Sequence, residues 1–262
     1  MPRFAANLTM MFNEVPFLDR FALAAQAGFD AVEFLFPYEH PAEEVASRAE
    51  GAGVEIVLFN LPPGDWAAGE RGIAAFPERA AEFTQGLARG LDYARVLRVP
   101  RLHMMAGLAS SAEAGTRDRY LAALREAADT VAPDGVDILI EPINRRDMPS
   151  YFLGDFALAA ELVAATGRAN VKLQYDIYHR QILHGDVVQS LEALMPIIGH
   201  VQTASVPLRN EPGTGELDDV RIFDALDRLG YKGAVGCEYR PAAWTRDGLS
   251  WFDGYRFNSP RR

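Results

Sequence analysis

Short apolar runs alternate with longer stretches in which apolar residues recur at helical spacing, and the alternation persists along the whole chain. The short runs are RFAANLT (3–9), AVEFLFP (31–37), EIVLFN (55–60), RLHMMAG (101–107), VDILIEP (136–142), VKLQYDIYHR (171–180), HVQTAS (200–205) and GAVGCEYRP (233–241). Their β-branched and aromatic content and their length predict strands. The stretches between them read as helices. In VPFLDRFALAAQAG, Phe17, Phe21, Leu23 and Ala24 share one face before Gly28 stops the run. A helix is predicted through roughly 78–98, and others over RDRYLAALREAADTVA, DFALAAELVAATG, VVQSLEALMPIIG and DDVRIFDALDRLG. A short one near Trp244–Trp251 closes the series. One long loop, LPPGDWAAGERGIAAFP, separates the third strand from its helix.

Strands that alternate with amphipathic helices imply right-handed crossovers and a parallel sheet. Eight such units in 262 residues predict a closed (β/α)8 TIM barrel formed by one domain, 1–262. The competing open, doubly wound sheet lacks its usual nucleotide-binding signatures: no GxGxxG follows the first strand, and no GxxxxGK[ST] occurs anywhere.

The run at 171–180 is odd for a buried parallel strand, which should be almost continuously apolar. Val171, Leu173, Tyr175 and Ile177 alternate with Lys172, Gln174 and Asp176, and His179 follows in what reads as the turn beyond. In a barrel the active site lies at the C-terminal strand ends. The last four strands each carry a potential oxygen ligand there: Glu141, Asp176, Gln202 and Glu238. Alternation supports their inward placement, because it turns Ile140, Tyr175, Ile177, Val201, Thr203, Cys237 and Tyr239 outward, with His200 one layer below Gln202. Any one of these carboxylates reads equally well as a strand end bonded to a loop. Three together would repel one another without a cation, and an all-oxygen set suits Mg²⁺ or Mn²⁺.

Composition narrows the classes. The formal net charge of −10 argues against a nucleic-acid or anionic-membrane partner, because phosphates call for basic surface. The single cysteine, Cys237, can form neither an intrachain disulfide nor a thiolate zinc site. No signal-peptide pattern and no membrane-length apolar run is present, so a cytoplasmic location is expected. A homo-oligomer is left open.

The motifs RFAANLTMMF, GFDAVEFLFPY, NLPPGDWAAGERGIAAFPER, IEPIN, LQYDIYHRQ, HVQTA, EPGTGELD and GCEY occur in this order, and through them the chain resembles the hydroxypyruvate isomerase family of xylose-isomerase-like barrels. The start of the chain and GLSWFDGYR are closer to the sister 2-oxo-tetronate (2-dehydrotetronate) isomerases, whereas the NLPPGDWAAGERG loop and EPIN are closer to hydroxypyruvate isomerase proper. The resemblance implies metal ligands Glu141, Asp176, Gln202 and Glu238, with Glu141 and Glu238 as the proton-transferring pair. It also implies a short hydroxy-oxo acid substrate: hydroxypyruvate, converted to tartronate semialdehyde, or its four-carbon homologue. His179 is expected to contact a substrate hydroxyl, and Arg209 the substrate carboxylate through its planar fork. Glu70 and Arg71 are expected in a lid, Arg71 competing for the carboxylate, while Trp66 and Phe12 are candidate apolar walls. The rival readings are a ketose 3-epimerase, in which histidine commonly stands where Gln202 does, a multi-metal nuclease, and a non-catalytic binding protein.

Overall fold

The computed structural model describes residues 2–110 and 115–256. Eight parallel strands follow one another in chain order around a closed barrel. They are β1 (Arg3–Asn7), β2 (Ala31–Glu33), β3 (Glu55–Asn60), β4 (Arg101–His103), β5 (Asp137–Ile140), β6 (Val171–Asp176), β7 (Ile198–Thr203) and β8 (Ala234–Cys237). The helices are α1 (Phe17–Gln26), α2 (Ala42–Ala52), α3 (Ala80–Leu97), α4 (Thr116–Val131), α5 (Phe156–Thr166), α6 (Ile177–Leu183), α7 (Val187–Leu194) and α8 (Asp219–Arg228). A 3₁₀ segment, Thr245–Phe252, stands where the short closing helix is expected.

Each predicted strand is present, several of them shorter than the apolar run that announced it. β2 ends at Glu33 because the chain then leaves the ladder: the N–H of Leu35 donates to Thr9 Oγ1 at 2.9 Å. The larger difference is α6. The turn expected after β6 is a helix that starts directly from the strand, with Asp176 closing one element and capping the next; its carboxylate accepts from the N–H of Tyr178 at 2.7 Å.

Backbone contacts gather the chain into two groups. The first comprises the chain through Val57, Asp176–Pro196, and His200 onward. Its registers pair Asn7 with Glu33, Ala5 with Gly236, Ala6 with Cys237, and Gln202 with Gly236. Paired residues point to the same face of a sheet and the face alternates along each strand, so Ala5, Asn7, Glu33, Gln202, Gly236 and Glu238 line the inner face. The alternate positions pack outward: Phe4 meets Phe223, Trp251 and Tyr255 edge-on at 4.9, 5.2 and 5.1 Å between ring centroids. Cys237 is fully buried among these outward positions, as the alternation requires.

The second group comprises Leu58–Tyr175 with Ile197–Gly199. β5 and β6 pair Ile138 with Val171 and Ile140 with Leu173, which sets Glu141, the next residue, opposite Gln174. β4 and β5 pair His103 with Leu139, so His103 shares the inner face with Leu139 and Glu141. The loop after β3 depends on glycine at Gly72, where φ is 107° and a Cβ would overlap the Met105 carbonyl.

The start of α8 carries a pH-dependent contact. Asp218 caps the helix by accepting from the N–H of Arg221, while the buried Asp219 accepts from the N–H of Gly213 at 2.6 Å. Burial pushes the Asp219 carboxyl up to about 6; the Gly213 hydrogen bond opposes the shift and the Asp218 charge adds to it. The folded state therefore binds this proton more tightly than the unfolded state does, where an aspartate titrates near ~3.9. The resulting stabilisation is complete at the acid end and is lost as pH rises from about 4 to about 6, a change of no more than about 3 kcal/mol. Asp219→Asn should flatten that loss, so the stability of the variant relative to the wild type should rise between pH 4 and 6.5 in thermal melts. A difference that is the same at both pH values would exclude this role for Asp219.

Candidate active site

In the first group, Asp176, His179 and Glu238 each offer a ligand atom, and these atoms lie within 4.8 Å of one another. All three side chains are buried. Asp176 comes from the β6 end, His179 from the first turn of α6, and Glu238 from the residue after β8. His179 Nε2 stands 3.6 Å from Asp176 Oδ2. Because α6 starts directly from the end of β6, this imidazole, three residues past Asp176, comes back beside the strand-end carboxylate.

Arg209, in the loop after β7, reaches the same carboxylates. Its NH2 donates to Glu238 Oε2 at 2.6 Å and to Asp176 Oδ2 at 3.3 Å, and its guanidinium lies 4.8 Å from the Tyr178 ring centroid. The backbone at Arg209 is left-handed, with φ 59°, a conformation costing an L-residue with a Cβ roughly 1–2 kcal/mol. It is held there from both sides: its N–H donates to the Ser205 carbonyl at 2.9 Å, and its own carbonyl accepts from Arg240 at 2.7 Å.

Two buried carboxylates with one guanidinium between them call for more positive charge than Arg209 supplies. Burial pushes the Glu238 carboxyl up to about 8; Arg209 pulls it down, while the charges of Asp176 and Glu33 push it further up. Burial likewise raises Asp176, against Arg209 and the N–H groups of Tyr178 and His179. Buried carboxylate oxygens of this kind fit a hard divalent cation.

Gln202 is 2% exposed and lies on the inner face of β7. Its Nε2 donates to Glu33 Oε1 at 2.8 Å. Glu33 also accepts from Asn7 Nδ2 at 3.0 Å and lies 2.6 Å from His200 Nε2.

In the second group, Glu141 follows β5 and is 4% exposed, with His103 Nε2 3.7 Å from its Oε2. Burial raises the Tyr151 hydroxyl, to which the Ala106 N–H donates, and the Glu141 charge adds to the rise. Glu70 and Arg71 sit in the loop after β3 and are engaged within it. Glu70 pairs with Arg79 at 2.6 Å and accepts from the N–H of Asp65; Arg71 stacks 3.8 Å over the Trp66 ring and donates to the Trp66 and Glu70 carbonyls. Phe12, at 1% exposure, is packed in the core beside Phe29, with its N–H donating to Thr245 Oγ1.

Sequence reasoning directed at the last four strands passed over Glu33, Asn7 and His103. The signal was present, because RFAAN, AVE and RLH each end on a polar residue that follows an apolar one.

The pattern of the xylose isomerase-like TIM barrel family matches residues 21–255. The chain is 52% identical over 257 residues to 2-oxo-tetronate isomerase of Cupriavidus necator, covering 97% of this chain and 99% of that protein. It is 42% identical to hydroxypyruvate isomerase of Escherichia coli over 261 residues, covering 98% of this chain and 100% of the relative. Among solved structures it superposes on AP endonuclease, family 2, from Brucella melitensis with a TM-score of 0.96 and 48% identity, covering 98% of this chain and 100% of that one. With its barrel topology and this likeness over nearly its full length, the chain belongs to the xylose isomerase-like TIM barrel family.

Proposed function

We propose that this isomerase moves a carbonyl between adjacent carbons of a short hydroxy-oxo acid, with Glu141 and Glu238 transferring the proton. The observation that carries the reading is Glu238: a buried carboxyl at a strand end whose proton affinity is raised into the range of a working acid–base group, with Arg209 hydrogen-bonded to it. Glu141 is taken as its counterpart, a carboxylate 4% exposed that directly follows β5.

Glu141, Asp176, Gln202 and Glu238 are the residues that would hold Mg²⁺ or Mn²⁺, and the bound cation would polarise the substrate carbonyl and offset negative charge on its oxygens. One glutamate removes the proton next to the carbonyl, and the other delivers a proton to the neighbouring carbon, so the substrate passes through an enediolate. Arg209 turns its planar fork to the substrate carboxylate, and the Tyr178 ring supports it from one side. His179 holds a substrate hydroxyl. Glu70 and Arg71 stiffen the loop after β3 as a lid that keeps water out.

Hydroxypyruvate, giving tartronate semialdehyde, is the three-carbon substrate of this class. The four-carbon 2-oxo-tetronate is favoured by the higher identity of the Cupriavidus necator relative, 52% against 42% for the Escherichia coli one. A nuclease reading, suggested by the name of the Brucella structure, meets a net charge of −10 where DNA binding calls for basic surface.

Both substrates should be assayed side by side. The expected result is turnover of both with the higher kcat/KM on 2-oxo-tetronate, and a ratio of about tenfold or more for hydroxypyruvate would assign the three-carbon reaction. Activity should vanish on chelation and return with Mg²⁺ or Mn²⁺. Full activity in protein stripped of metal would remove the cation from the reading.

A further inference from the structure

Glu33 has no part in the proton transfer proposed above, yet it is 1% exposed and surrounded by donors. Asn7 Nδ2 reaches Oε1 at 3.0 Å, Gln202 Nε2 reaches Oε1 at 2.8 Å, and His200 Nε2 lies 2.6 Å from Oε2. The three come from β1 and β7, the strands that flank β8 in the β2–β1–β8–β7 run of registers. Across that run, Gly236 of β8 clears the space: a Cβ there would overlap both Glu33 carboxylate oxygens. A glycine inside a strand weakens it, and here the missing side chain is what admits the carboxylate. Sequence, register and hydrogen bonding thus converge on one buried acceptor.

We propose that Glu33 is a positioning residue that fixes the orientation of the Gln202 carboxamide, so that Gln202 offers its carbonyl oxygen, not its NH2, to the bound cation. An ionised carboxylate can only accept, so the amide group facing it must be the NH2. The two ends of a planar amide are turned apart, so the oxygen is committed to the other side. Without Glu33 the carboxamide could flip and present N–H donors, which repel a cation. Asn7 and His200 hold the carboxylate in turn and keep it from rotating away. This is the role that outer hydrogen-bond partners commonly take around metal ligands, at a cost of about 10–100-fold in affinity when they are removed.

The inference rests on the cation reading above, and the test separates the two. Mn²⁺ binding to the full-length protein is measured by calorimetry for wild type, Glu33→Leu, Gln202→Leu and the double variant, with melting curves as a check on folding. Glu33→Leu should weaken Mn²⁺ binding about 10–100-fold. In the Gln202→Leu background the same change should add less than about twofold, because the residue through which Glu33 acts is gone. If Glu33→Leu does not fold, Gly236→Ala gives the same information: it keeps every polar group but displaces the carboxylate, and it should weaken binding in wild type and not in Gln202→Leu. Unchanged Mn²⁺ affinity in the folded Glu33 or Gly236 variant would overturn the proposal. So would an equal loss with and without Gln202, which would mark Glu33 as merely structural. No Mn²⁺ binding by the wild type would instead remove the cation reading itself, and this inference with it.

Discussion

Glu238→Gln should lower kcat by about 10²–10⁴-fold, the usual range for a positioned acid–base group, while the protein remains folded. The substitution keeps the shape of a carboxyl that the fold already holds largely protonated at neutral pH, because burial pushes it up to about 8. The stability sign follows from the same shift. The folded pKa lies above the unfolded value of ~4.3, so the group favours the folded state at acid pH and withdraws that contribution as pH rises through about 8. Glutamine cannot ionise, so metal-free Glu238→Gln should melt at or above the wild-type temperature above pH 8. Loss of turnover together with retained or raised thermal stability would separate chemistry from folding. A variant that keeps more than about a tenth of wild-type turnover would be incompatible with proton transfer by Glu238. Cation binding offers a second check: the wild type must give up the Glu238 proton near pH 7, so proton uptake by the buffer should accompany Mn²⁺ binding, and the variant should lack that component.

The barrel was legible because each strand carries its own apolar run and each outer helix its own apolar stripe. What periodicity could not mark was where pairing stops. The runs at 31–37 and 101–107 continue apolar past Glu33 and His103, but the strands end there: Leu35 N–H turns to the Thr9 hydroxyl and Ala106 N–H to the Tyr151 hydroxyl. α6 was hidden for a related reason. Asp176 belongs to two elements at once, and YHRQIL is too short to show a helical period by itself.

The candidate site was legible in half. Carboxylates at the ends of apolar strands are conspicuous, and alternation aimed Gln202 and Glu238 inward, as the registers have them. Glu33 is not conspicuous, since its meaning depends on partners 26 and 169 residues away in Asn7 and Gln202. Nor does Gly236 announce itself; a glycine in VGCEY reads as a weak strand position until the carboxylate beside it is seen. Long-range satisfaction of buried polar groups is a property of the assembled sheet, and no local pattern encodes it.

Arg209→Met should act with opposite sign on two measurements. Its side chain bonds Asp176 and Glu238 and lies against Tyr178, and its backbone is held at φ 59° by Ser205 and Arg240, so the loop should survive loss of the guanidinium. A hydrogen bond to a charged group is worth about 1.5–3 kcal/mol, so loss of the substrate-carboxylate contact should raise KM about 10–150-fold. Lysine should restore little of this, because a point charge cannot reproduce the planar fork. Mn²⁺ binding should move the other way. The guanidinium is a cation already seated on two carboxylates proposed as ligands, so its removal eliminates a competitor. Above pH 8, where the Glu238 proton no longer competes either, Arg209→Met should bind Mn²⁺ at least as tightly as wild type. Unchanged KM with tighter Mn²⁺ binding would reduce Arg209 to a counter-ion for the two carboxylates. Weakened Mn²⁺ binding at that pH would instead mean that the guanidinium holds Asp176 and Glu238 in place rather than competing for them.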